Sequence, residues 1–116
     1  MFEMNCPFCR IVAGQTQAEI LFQDDLVTAF QDSHPIAPVH ILIVPNEHID
    51  SNNEVAAEHE LVLGHLDVVA RKLAKDLNVD LTGYRLVINT GPNAGQSVFH
   101  LHMHLIGGQR MRYPIG

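Results

Sequence analysis

The run Phe99-His100-Leu101-His102-Met103-His104-Leu105 alternates large apolar residues with histidines without a break. Successive side chains on a β-strand point to opposite faces, so the pattern predicts a strand over residues 98–106. Phe99, Leu101, Met103 and Leu105 would face a core, and His100, His102 and His104 would share the other face. A chain holding this run must therefore build a sheet, bury one side of this strand, and find a use for three imidazoles on the other. Same-face neighbours on a strand stand about 6.5–7 Å apart, too far for adjacent imidazoles to bond directly. Whatever engages them has to lie between or across them.

The rest of the sequence supplies the partners for such a strand. Ile20-Leu21-Phe22 and Val27-Thr28-Ala29-Phe30 flank Asp24-Asp25, a hairpin pattern with a turn signal. His40-Ile41-Leu42-Ile43-Val44, closed by Pro45, reads as a third strand, and Tyr84-Arg85-Leu86-Val87-Ile88-Asn89 as a fourth. Between 56 and 78, Val62, Leu66, Val69, Ala70, Leu73 and Leu77 recur at steps of three and four, one face of a long helix that Asn78 and Gly83 terminate. A short helix is expected between 7 and 13. Strands joined mostly by short connections predict an α+β fold: a five-stranded, largely antiparallel sheet with one long and one short helix.

With 116 residues, 47% of them hydrophobic, and no repeat or linker tract, the chain 1–116 reads as a single domain with one core. A formal net charge of −6 with seven Lys plus Arg provides no basic stripe, so no nucleic-acid polymer is expected as a partner. No apolar run approaches the roughly 20 residues of a bilayer span, and Met1-Phe2-Glu3-Met4-Asn5 lacks the pattern of a signal peptide. The expectation is a cytoplasmic protein without membrane association.

Gly95, Gln96 and Ser97 precede the histidine strand in a loop where backbone N–H groups and a hydroxyl can approach an anion closely. Imidazoles beside such a loop suit phosphoryl chemistry in two ways. A neutral imidazole can attack phosphorus while another histidine or hydroxyl helps the leaving group. Alternatively, the histidines can bind zinc and leave a position open for water. The zinc route wants a carboxylate base nearby, and no Asp or Glu lies within eight residues of His104 on either side, which favours the nucleophile.

Gln96-Ser97-Val98-Phe99-His100-Leu101-His102-Met103-His104-Leu105 resembles the signature of the histidine triad (HIT) superfamily. Phe22-Gln23-Asp24-Asp25, Phe30-Gln31-Asp32, Ala37-Pro38-Val39-His40, Gly64-His65-Leu66, Gly83-Tyr84-Arg85 and Gly107-Gly108 are similar to the Hint branch in order and spacing, and in particular to its purine nucleoside phosphoramidases. The resemblance implies a homodimer whose two sheets join into one, and hydrolysis of purine nucleoside 5′-phosphoramidates through a nucleotidyl-histidine intermediate. It makes His102 the nucleophile, with its tautomer fixed by the backbone carbonyl of His100. His104 and Ser97 would contact the phosphate and assist the leaving amine, and His40 matches the family's fourth active-site histidine. Asp32 would hold the ribose hydroxyls, Asn89, Gly95 and Gln96 the phosphate, and Phe8, Ile11 and Phe30 the base. No cofactor is implied for catalysis. Diadenosine polyphosphates or acyl adenylates are the alternative substrates within the superfamily, and a nucleotide-binding interaction module is the alternative outside enzymology. Ser33-His34-Pro35, Ala94 and the terminal Tyr113-Pro114-Ile115-Gly116 depart from the branch's usual residues beside the base, the loop and the leaving group.

Cys6-Pro7-Phe8-Cys9 has the spacing of half a zinc site. Many bacterial members of the superfamily complete such a site with two histidines, here His48 and His100, so the resemblance implies a structural zinc and makes His100 a ligand; two reduced, metal-free thiols are the alternative. His34, His59 and His65 carry no comparable context and are assigned no role; His59 and His65, on the long helix, are expected at solvated or interface positions. Asp24-Asp25 is expected to serve its turn.

Overall fold

The computed structural model describes residues 5–115. Met1 to Met4 of the N-terminal stretch and Gly116 of the C-terminal run lie outside them. The elements are α1 (Pro7–Val12), β1 (Ile20–Gln23), β2 (Val27–Gln31), β3 (Val39–Pro45), α2 (Glu60–Asp76), β4 (Tyr84–Val87) and β5 (Met103–Gly107). Every strand pairing is antiparallel, in the order β1-β2-β3-β5-β4. Among the described residues no helix is long and apolar enough to cross a membrane.

The hairpin forms because Asp24 Oδ1 accepts the backbone N–H groups of Leu26 and Val27, each at 2.9 Å, fixing the turn through its own side chain. The other oxygen of Asp24 meets His65 Nε2 at 2.6 Å, which ties α2 to that turn. His65 therefore has a structural partner. The helix begins later than expected: a 3₁₀ turn, Ala57–His59, precedes α2, and His59 Nδ1 accepts the Ala56 N–H at 2.9 Å while Nε2 lies 3.2 Å from Glu47. His59 is buried, which corrects the expectation of a solvated position. Asn78, in the left-handed region at φ 62°, ends the helix with its N–H on the Lys75 carbonyl.

Each face of the sheet has its own core. Helix α2 lays Val62, Leu66, Val69 and Leu73 on Val27, Ala29, Ile41, Ile43, Met103 and Leu105. On the other face α1 packs Phe8 and Cys9 against Phe30, Leu42 and Val44. The alternation of β2, β3 and β5 thus divides the molecule into a hydrocarbon layer behind the sheet and a mixed layer in front.

The fifth strand is shorter than residues 98–106 predict. Pairing with β3 stops at Ile43–Met103, because past that point the backbone partners are already engaged elsewhere. Pro45 has no N–H and its carbonyl accepts from His100 Nε2 at 2.8 Å, while the Leu101 N–H goes to Ile49 at 2.7 Å. Phe99 is 56% exposed and not part of the core, a second correction. Likewise β4 ends at Val87, and Ile88 and Asn89 lie beyond its ladder.

Candidate active site

A cleft of about 770 Å³ opens on the α1 face, lined by Phe8, Ile11, Phe30, Asp32, Ser97, His102 and His104 among others. Seven of the residues assigned to the site from sequence therefore converge. His102 Nδ1 lies 2.7 Å from the His100 carbonyl oxygen, and since a carbonyl only accepts, Nδ1 carries the hydrogen and Nε2 of the neutral ring is a bare lone pair. Phe8 holds the ring in an edge contact at 5.1 Å. His104 stands 5.1 Å from His102, centroid to centroid, with no hydrogen bond between them. Its polar partner comes across the sheet instead: His40 Nε2 is 2.9 Å from His104 Nδ1, and 3.3 Å from Asp32 Oδ2. Burial, with the nearby His102 and His40 adding to it and Asp32 opposing, pushes His104 down to about 4. His40 is lowered too, by burial against the pull of Asp32. A second depression of similar size, about 750 Å³, runs past Gly83, Arg85 and Arg110 and contains none of the histidines.

Behind the cleft Cys6, Cys9, His48 and His100 bring one ligand atom each within 4.8 Å of the others. Cys6 Sγ caps α1 by accepting the Cys9 N–H at 3.2 Å, which fixes the first thiol. His100 Nδ1 lies 3.2 Å from Cys6 Sγ and 3.5 Å from Cys9 Sγ, and His48 Nδ1 lies 3.3 Å from Cys9 Sγ. The outer nitrogens of both rings are already used, His100 Nε2 on the Pro45 carbonyl at 2.8 Å and His48 Nε2 on Asp50 Oδ1 at 2.6 Å. An Nε2–H that donates outward leaves Nδ1 free to ligate inward, the orientation that outer partners give to metal-bound histidines. Burial holds His100 at about 4, the deprotonated form a ligand needs. These four residues could hold a metal ion.

Residues 13–111 match the family model of the HIT domain. The chain belongs to the HIT family. It is 49% identical over 109 residues to the purine nucleoside phosphoramidase of Escherichia coli (strain K12), covering 94% of this chain and 88% of that one. A HIT family hydrolase from Legionella pneumophila Philadelphia 1 superposes with a TM-score of 0.93 at 41% identity, covering 97% of this chain and all of the other, at 100%. A histidine triad protein from Clostridium difficile does so with a TM-score of 0.95 at 38% identity, over 99% and 100% of the two chains.

In this HIT protein the remaining predicted residues sit around the cleft and not in its wall. None of His40, Asn89, Gly95 and Gln96 is in the lining: His40 and Gln96 are buried, Asn89 is half-buried and Gly95 is exposed. The Gln96 side chain holds the loop together: Oε1 accepts the Gly91 N–H at 2.9 Å, and Nε2 donates to the carbonyls of Asp50 and Val98 at 2.9 and 3.1 Å. The N–H groups of Gly95 and Gln96 bond to Pro92 and Gly91, and Gly95 takes a left-handed φ of 85° to close the turn. Exposed Ser97 lines the cleft and has no hydrogen bond among the described residues. Sequence reasoning missed Asp50 as the support of His48, and missed Gln17 and Glu19 in the cleft wall, whereas Ser33, His34 and Pro35 line the cleft, where the departure from the branch's usual residues put them.

Proposed function

We propose that this protein is a purine nucleoside phosphoramidase, cleaving the phosphorus–nitrogen bond of adenosine or guanosine 5′-phosphoramidates. The observation that carries the reading is the 2.7 Å bond from His102 Nδ1–H to the His100 carbonyl, which leaves an unprotonated Nε2 on a residue of the cleft wall. The 49% identical relative from Escherichia coli supports the substrate class. The apolar slot of Phe8, Ile11 and Phe30 takes the base, and Asp32, on the same wall, accepts from the ribose hydroxyls. His102 Nε2 attacks phosphorus, forming a phosphorus–nitrogen bond to the protein as the bond to the substrate amine breaks and the amine departs with a proton taken from solvent in the open cleft. Water then attacks the same phosphorus, releasing the nucleoside monophosphate and restoring the lone pair. Ser97 and His104 meet the phosphoryl oxygens and the departing group, and the loop that Asn89, Gly95 and Gln96 shape sets where those oxygens lie.

Two thiols and two imidazoles suit tetrahedral zinc, and the role proposed for Cys6, Cys9, His48 and His100 is structural, joining α1 to the segments after β3 and before β5. Bound there, zinc supplies folding energy and no step of the chemistry. The protein is further proposed to be a homodimer, its sheet continued at one of the two free edges, β1 or β4.

Hydrolysis of adenosine 5′-phosphoramidate by wild type and His102→Ala tests the reading, with acid-quenched samples searched by mass spectrometry for an adenylylated histidine. The expected results are an adduct on His102 and a loss of at least about 10⁴-fold in kcat for the variant. Activity retained in His102→Ala overturns the nucleophile, nucleotide binding without cleavage favours an interaction module, and faster cleavage of diadenosine polyphosphates moves the leaving group.

A further inference from the structure

His40 is 4% exposed and does not line the cleft, yet one of its nitrogens meets a cleft residue and the other meets the backbone. The Ile36 N–H donates to His40 Nδ1 at 3.1 Å. An amide N–H can only donate, so His40 Nδ1 must be a lone pair and the ring's hydrogen must sit on Nε2. That Nε2–H points at His104 Nδ1, 2.9 Å away, with Asp32 Oδ2 at 3.3 Å. His104 Nδ1 therefore accepts, and the hydrogen of His104 is placed on Nε2. A proton added to Nδ1 of either ring would set one N–H against another.

We infer that the Ile36 backbone amide is a positioning group: through His40 it fixes His104 as a neutral imidazole with its hydrogen on Nε2, a hydrogen-bond donor to a phosphoryl oxygen and not the acid that protonates the leaving group. A neutral imidazole can give up its Nε2 hydrogen without becoming an anion only if Nδ1 is reprotonated in the same step. The only proton beside it belongs to His40, and His40 cannot replace that proton, because its Nδ1 faces an amide. The relay is closed at its far end, so His104 can polarise but not protonate. Burial agrees with this, holding His104 at about 4 and His40 below its ordinary 6.5 despite the Asp32 carboxylate. The role toward phosphorus rests on the phosphoramidase reading, whereas the tautomers do not.

The Ile36 side chain is 67% exposed on the loop between Pro35 and Pro38, so the amide hydrogen can be removed with little loss of packing. Long-range ¹H–¹⁵N spectra of the full chain at pH 7, without substrate, should show pyrrole-type Nε2 and pyridine-type Nδ1 on both His40 and His104, with a ¹⁵N–¹⁵N coupling across the Ile36 N–H to His40 Nδ1 bond. Ile36→Pro should mix both tautomers and lower kcat on adenosine 5′-phosphoramidate by roughly ten- to a hundredfold, with KM held within about threefold. Ile36→Ala, which keeps the amide, should keep both tautomers. A hydrogen on Nδ1 of either ring in the wild type overturns the inference. So does a folded Ile36→Pro with unchanged tautomers. Should that variant not fold, absence of the coupling in wild type has the same force. Correct tautomers in a protein that does not cleave phosphoramidates count against the proposed substrate alone.

Discussion

His100 and His104 are four residues apart, one before β5 and one within it, both are buried or half-buried, and burial pushes both down to about 4. Their surroundings give them opposite tasks. His100 has its Nε2 tied to the Pro45 carbonyl, so its lone pair is turned inward to two thiols, beside a His48 ring held the same way by Asp50. His104 accepts on Nδ1 from His40, so its hydrogen is left for the cleft. Asp32, His40 and His104 also lie close enough together to resemble a metal site, but an N–H points into that cluster where a ligand would need a lone pair. The difference teaches that residue types and spacing do not separate a metal site from a phosphate site. The partner of the outer nitrogen does, because it decides which nitrogen is left to act.

The sharpest way to break this contrast is to remove each histidine cluster's working group in turn and ask which quantity collapses. For the cleft cluster, His104→Ala should lower kcat on adenosine 5′-phosphoramidate by about 10²–10³-fold, the scale of one lost donor to developing charge, while the melting temperature moves only a few degrees. Steady-state kinetics and thermal unfolding on one preparation decide it. A normal kcat in a destabilised variant would make His104 a structural residue and erase the distinction.

The thiol cluster should behave in reverse. Cys9→Ala removes a thiol that is 1% exposed and packed with Phe8 and Val44. With zinc in the wild type, the loss should be about 3 kcal/mol or more, a fall of roughly 10 °C in melting temperature for a chain of this size. The kcat of the protein that remains folded should stay within about threefold. Metal content by mass spectrometry should fall from one zinc per chain to well below one. If the wild type carries no zinc after expression in zinc-replete medium and its melting temperature ignores a chelator, the cluster is a pair of buried thiols and the contrast is reduced to hydrogen bonding.

Much of this contrast was legible in the sequence and part of it was not, for physical reasons. The alternation that carried the sheet and the C-x-x-C spacing that carried half of the thiol cluster were legible because both are local, whereas His48 and His100, 39 and 91 residues from Cys9, could be named only through the resemblance to the HIT superfamily. The start of β5 was hidden because it depends on distant backbone: Pro45 lacks an N–H, and Ile49 captures Leu101. His59 and His65 looked idle because their partners, Glu47 and Asp24, lie 12 and 41 residues away. The amide of Ile36 left no trace at all, since any residue except proline has one.

The smallest expected effect tests whether His104 is held neutral by the fold. Its folded pKa, about 4, lies below the ordinary 6.5. Between those values the unfolded chain binds the proton and the folded chain does not. Stability contributed by this group is therefore complete above pH 6.5, declines as pH falls, and is gone below about 4. The full gap would correspond to about 3 kcal/mol, and partial solvent access at the cleft reduces the expectation to roughly 2 kcal/mol. Chemical denaturation of wild type and His104→Gln at pH 7 and pH 4, with chelator throughout to keep the thiol cluster out of the comparison, isolates it. Wild type should lose about 2 kcal/mol more than the variant over that interval, because glutamine has no proton to take up. Equal losses would mean that His104 titrates alike in both states, and that the donor on its Nε2 owes nothing to the fold around it.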